Sequence, residues 1–148
     1  MPGIFQPTIR IARVPLHAVL VPFPIVCFTG AMLTDYAFLR SGGVMQWSNF
    51  SAWLLAFGLI FGVAAALFGL LDFLLGGRAR PRIGWFHFAG NAAVLLLAFF
   101  NSLVHARDGW TSVVPTGLTL SVITVLLLAV TGFLGHRMSY AYVGRERS

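Results

Sequence analysis

Residues 85–107 read WFHFAGNAAVLLLAFFNSLVHAR, an apolar run interrupted chiefly by His87, Asn91, Asn101 and His105. An imidazole can ligate a metal or haem iron, take up a proton near neutral pH, or both donate and accept hydrogen bonds. The run is long enough to cross a bilayer, which takes about 20 residues at ~1.5 Å each. At ~100° per residue the four polar positions fall within roughly 80° of one another, and His87 superposes on His105 after about five turns. A polar stripe in lipid must face protein, because each unsatisfied group costs several kcal/mol. This helix therefore has an inward face with an imidazole near each end.

The first apolar run repeats that layout. His17, Val21, Pro24, Phe28, Ala31 and Asp35 share one face, with titratable groups near both ends. In the second run Gly58, Gly62, Ala65, Gly69 and Asp72 form one stripe, so Asp72 is expected to point inward. Gly58 and Gly62 make a G-x-x-x-G pair, which favours close packing within the chain over dimerisation, with homo-oligomerisation left open. In the fourth run Thr124, Thr131, Gly132 and Gly135 form the small or hydroxylated side, with His136 close by.

Composition bounds the class. The chain has 148 residues, 58% of them hydrophobic and 9% charged, against roughly 45–50% and 25% in soluble domains. Four apolar segments account for the excess and point to one integral membrane domain spanning 1–148. The formal charge of +6 comes from arginines beside these segments. They act as orientation signals and give no indication of nucleic acid. Cys27, the sole cysteine, reads as a small apolar residue. The run from Val14 to Leu39 is too long for a signal-peptide core, contains Pro22 and Pro24, and is expected to be a retained helix. No nucleophile elbow, Walker loop, H-E-x-x-H or dinucleotide turn is present.

The expected fold is an all-α, up-down-up-down four-helix membrane bundle with helices over about 14–39, 52–75, 85–106 and 116–138. Pro15 suits the first turn of helix one, and Pro22 and Pro24 should kink it. The tail after Tyr142 should fray. Arg10, Arg13, Arg78, Arg80, Arg82, Arg137, Arg145 and Arg147 lie on one side and only Arg40 and Arg107 on the other. That asymmetry predicts cytoplasmic termini.

With this topology His17, Asp72, His87 and His136 fall at one depth, one from each helix. Intramembrane ionisable groups are functional candidates by default. Three uses are open. In the first, His17 and His87 supply both axial ligands of a b-type haem. Asp72 and Asn91 would lie nearby, Phe23, Phe86 and Phe88 would pack the macrocycle, and Arg13, Arg80 or Arg82 would meet its propionates. In the second, three histidines and Asp72 hold a transition-metal ion. In the third, the layer hydrogen-bonds the helices together. Asp72 could also pair with Arg78 or Arg80. His136 and His105, each beside an arginine, read first as interfacial, although an Asp35–His105 pair across helices one and three is geometrically open.

The run His17-Ala-Val-Leu-Val-Pro-Phe-Pro-Ile25 resembles the opening signature of a bacterial membrane family, domain-of-unknown-function family 2231. Asp35, G-L-L-D-F at Gly69–Phe73, His87-x-x-x-Asn91, and V-T-G-F-L-G at Val130–Gly135 followed by Tyr140 continue the match in order. Ala18 departs from the usual proline, Pro22 from a frequent histidine and His136 from a frequent glycine. The resemblance implies a four-helix protein of the bacterial inner membrane. It also implies company with periplasmic dehydrogenases, Rieske proteins and cytochromes. The leading expectation is therefore a haem b electron-transfer subunit working with quinone or a periplasmic redox partner. The alternative is a non-catalytic membrane anchor or assembly protein. Either fits a subunit better than a stand-alone enzyme.

Overall fold

The computed structural model of the chain describes residues 10–11, 14–75, 82–107, 111 and 113–146, with side chains described over 14–75, 83–107, 111 and 113–137. Prolines decide how the first span begins. A two-residue antiparallel pair, β1 (Arg10–Ile11) and β2 (Val14–Pro15), leads into the short helix α1 (Leu16–Leu20). Pro15 is the residue before the first turn rather than part of it. Its extended ψ of 134° follows from its pairing with Arg10. The hydrogen-bond ladder is interrupted after Val21, whose φ of −53° and ψ of −38° stay helical, and resumes in α2 (Pro22–Arg40). Pro22 has no N–H to continue the ladder, while the Val21 N–H still reaches the His17 carbonyl at 3.1 Å. The break thus falls at Pro22, and Pro24 sits harmlessly in the first turn of α2.

Helix α2 ends at Arg40, and Gly42 and Gly43 follow at φ of 71° and 94°. This left-handed backbone suits glycine and turns the chain so that the Gly43 N–H reaches the Phe38 carbonyl at 3.0 Å. The next helix, α3 (Met45–Leu75), starts seven residues before the expected Ala52. The added turns are polar but not unsatisfied. Ser48 and Ser51 fall on the buried face, the Ser51 hydroxyl donates to the Trp47 carbonyl at 3.2 Å, and it meets the Thr34 hydroxyl at 2.7 Å. Helix α4 (Arg82–His105) lies within a few residues of expectation. A wide turn, Val113–Gly117, with Val114 extended, opens the last span. Helix α5 (Leu118–Glu146) then continues past the expected fraying point.

Helix α2 packs on α3 and α5, and α4 packs on α3 and α5, which closes a ring of four consecutive antiparallel spans. All four are long and apolar enough to cross a membrane. Phe28, Ala31, Leu55, Val94 and Ala98 form the buried centre. Large apolar side chains such as Val26, Trp53, Phe86 and Leu126 face outward, as a lipid-facing perimeter requires. The glycine stripe of α3 is used inside the chain. Gly58 receives the Phe28 ring, and a Cβ on Gly62 would stand 2.7 Å from Leu95 Cδ2. The chain is a multi-pass membrane bundle in contact with the lipid bilayer.

Candidate functional site

Polar side chains gather at both ends of the bundle. At the end that holds the start of the first span, α1 carries His17 and α4 carries His87. The His17 Nδ1 lies 2.7 Å from the Ala65 carbonyl on α3, and the His87 Nδ1 lies 3.0 Å from the Thr131 carbonyl on α5. A carbonyl only accepts, so each Nδ1 carries a proton. Both rings lie on glycine. A Cβ would come within 2.7 Å of the His17 ring on Gly69 and within 2.9 Å of the His87 ring on Gly135. The two imidazoles face each other with centroids 6.5 Å apart and planes at 86°.

Asn91 stands one turn beyond His87. Its amide donates to the His87 carbonyl at 2.7 Å and passes 3.3 Å from Nε2. Asp72 is 7% exposed and lies on α3 one turn beyond Gly69, at the same end. Arg78 and Arg80, its expected partners, lie outside the described residues, as do Arg13 and the side chain of Arg82.

The expected four-residue layer does not close into a cluster. His136 is on the exposed face of α5, because the helix turns Gly135 and not its neighbour toward His87. Among the described residues no group of three or more His, Cys, Asp or Glu is placed to hold a metal ion. The expected aromatic wall is also not assembled. Phe23 and Phe86 are 47% and 67% exposed; Phe23 stacks on Phe61, and Phe88 packs edge-on to Trp85. Gly132, expected on the inward side, has nothing within 4 Å of its would-be Cβ.

A cavity of about 50 Å³ adjoins the pair, with His17 and Asn91 as its polar lining and Pro24, Phe28 and Leu95 among its apolar walls. One water needs ~10–15 Å³, whereas benzene occupies an engineered cavity of ~150 Å³. The space therefore takes water and no aromatic ring. His17 and His87 are the residues that would hold a metal or haem iron at this end, each offering an imidazole nitrogen. The donor types suit such a group, but the cavity beside His17 is by itself too small for a porphyrin.

The opposite end is drier and more tightly bonded. Asp35 on α2 is 0% exposed and His105 on α4 is 7% exposed. The His105 Nε2 lies 2.8 Å from Asp35 Oδ1. The Ser121 hydroxyl of α5 donates to Asp35 Oδ2 at 2.6 Å, and the Asn101 amide donates to Ser121 Oγ at 2.7 Å. The interfacial reading of His105 is thus corrected. The neighbouring arginine puts it near the surface in sequence, but the inward face of α4 buries it against Asp35.

Ser121 was not anticipated. The signal for it was present, since Gly117, Ser121, Thr124, Thr131 and Gly135 continue one stripe at three- to four-residue steps along α5.

No curated protein and no solved structure matches the chain. The model of the family described as "Predicted membrane protein (DUF2231)" matches residues 13–146, and the chain belongs to that family.

Proposed function

We propose that this protein is a membrane anchor or assembly subunit of a redox system in the bacterial inner membrane, with both termini cytoplasmic, and that its inward polar groups clasp the four spans. One observation carries the reading. Every inward imidazole is already bonded to a neighbouring element: His17 to α3, His87 to α5 and His105 to α2. Where lipid gives no hydrophobic drive between helices, such bonds contribute ~0.6 kcal/mol on average and up to about 1.7. The partners proposed are quinone and a periplasmic redox protein, on the family likeness. The arginine asymmetry supports the orientation.

A second reading keeps a cofactor at His17 and His87. The carbonyl-anchored Nδ1 atoms favour it, because metal-ligating histidines characteristically donate their other N–H to such a partner. A haem b held there would supply a one-electron carrier. His17 and His87 would then be its ligands, and the Ala65 and Thr131 carbonyls would fix their tautomers. Asn91 would orient the His87 ring. The cavity of about 50 Å³ opposes this reading.

The two readings separate in an absorption spectrum of purified protein, made with ample haem supply and recorded with and without dithionite. The anchor reading expects no stoichiometric Soret band and no reduced α-band. Bands that vanish in His87→Ala and persist in His105→Ala would overturn it and install the haem reading. Metal analysis of the same sample tests a bound transition-metal ion.

A further inference from the structure

The end away from His17 and His87 holds a closed ring of hydrogen bonds. Asn101 Nδ2 donates to Ser121 Oγ at 2.7 Å, and Ser121 donates to Asp35 Oδ2 at 2.6 Å. Asp35 Oδ1 meets His105 Nε2 at 2.8 Å, and His105 Nδ1 returns to the Asn101 main-chain carbonyl at 3.0 Å. Counting donors settles the proton inventory. The carbonyl accepts only, so Nδ1 bears a hydrogen. A carboxyl oxygen and a bare Nε2 would repel at 2.8 Å, so a second proton must lie between them. It sits either on nitrogen, making an ion pair, or on oxygen, making two neutral groups. Either way the pair carries no net charge. The alternative of a carboxylate beside a neutral imidazole would leave one uncompensated charge at a position 0% exposed, which is costly.

The surroundings supply no substitute among the described residues. On α2, Tyr36 and Arg40 are exposed; on α4 and just beyond it, Arg107 is exposed as well. The buried face of α3 presents only Ser48 and Ser51 there, and the Val113–Gly117 turn and the start of α5 bring no titratable group. A second observation points the same way. Asn101 Oδ1 is fully buried and meets no donor, so the cluster is richer in acceptors than in donors. Gly117 seals it, since a Cβ there would stand 2.8 Å from His105 Cε1.

We propose that Asp35 and His105 form a proton-binding site that takes one proton from the water at that face of the bundle and holds it between Asp35 Oδ1 and His105 Nε2. The ligand is H⁺ itself. On loading, an N–H or O–H bond forms, one O–H bond of the donating hydronium breaks and releases water, and the buried pair passes from one negative charge to none. The site is independent of any cofactor at His17 and His87.

The test uses full-length protein in lipid nanodiscs. Nitrogen-15 NMR of labelled histidine, assigned with His105→Gln, reads the imidazole; infrared spectroscopy, assigned with Asp35→Asn, reads the carboxyl. Over about pH 6–8 the expected result is either a doubly protonated His105 or a protonated carboxyl C=O band that is lost in Asp35→Asn. A singly protonated His105 together with no protonated carboxyl would overturn the proposal. In Asp35→Asn the amide can donate to Nε2 and accept from Ser121, which preserves the ring without the stored proton. Acid–base titration of the two proteins should then differ by one proton per chain, and identical titrations would also overturn it. If the variant does not fold, NMR of the wild type, with His105 assigned by His105→Gln, and its infrared spectrum still decide.

Discussion

The two ends of the bundle start from similar materials and use them differently. Each takes one residue from the first span and one from the third, and each places a histidine on α4. At the His17–His87 end two imidazoles meet, both are tied to main chain through Nδ1, and a water-sized cavity adjoins them. At the Asp35–His105 end a histidine ring meets a carboxyl group, both ring nitrogens are engaged, and serine and asparagine close the circuit. What a buried histidine can do is set by what its second nitrogen faces. At one end the ring faces another imidazole at 6.5 Å; at the other Nε2 meets a carboxyl oxygen at 2.8 Å, close enough to share a proton.

The sharpest way to break this contrast is Asp35→Leu. It leaves His105 and Ser121 buried without their partner. Removing one member of a buried pair typically costs about 3–5 kcal/mol, and thermal unfolding in detergent should show a loss of that order. His17→Leu should cost far less, because His17 is only half-buried and its partner is a main-chain carbonyl. Equal losses would erase the distinction between the ends.

Next come the glycines under the rings. Gly69→Ala and Gly135→Ala force a Cβ to within 2.7 Å and 2.9 Å of the two imidazoles. Overpacking of this kind costs typically 1–3 kcal/mol, read by the same unfolding assay. Histidine NMR shifts should move for His17 in the first variant and for His87 in the second. At the other end Gly117→Ala should perturb His105 alone.

A smaller effect is expected from Ser121→Ala, which removes one donor to Asp35 and leaves the His105 contact. The loss should be about 0.6–1.7 kcal/mol, with the doubly bonded His105 signal retained. The smallest is Gly132→Ala. Nothing lies within 4 Å of that Cβ, so the variant should unfold within about 0.5 kcal/mol of wild type.

Much of the architecture was legible. The stripe Pro24, Phe28, Ala31, Asp35 is buried as its spacing implied, and so are Gly58, Gly62, Ala65 and Asp72. The placement of His17 beside His87 was likewise readable, since both lie at one depth on inward faces. Three features were not. The first turns of α3 look like loop because they are polar, and they become helix because Ser48 and Ser51 fall on the buried side, where Ser51 meets Thr34. His105 looks interfacial beside Arg107, and its burial depends on where Asp35 stands on another helix. Ser121 stands on the small and hydroxylated stripe of α5, but it acquires a role only when α5 brings it to Asp35 on another helix.

Sequence alone determined that four spans are long and apolar enough to cross the bilayer and, Gly132 apart, which face of each turns inward. Both follow from local quantities, namely the length of an apolar run and a repeat of ~3.6 residues. Tertiary structure decided which inward groups meet. Sliding one helix against another by a single turn moves a side chain by ~5.4 Å, enough to make or lose the 2.8 Å bond between Asp35 and His105. That offset is set by packing such as Phe28 on Gly58 and Leu95 on Gly62, which no single span encodes.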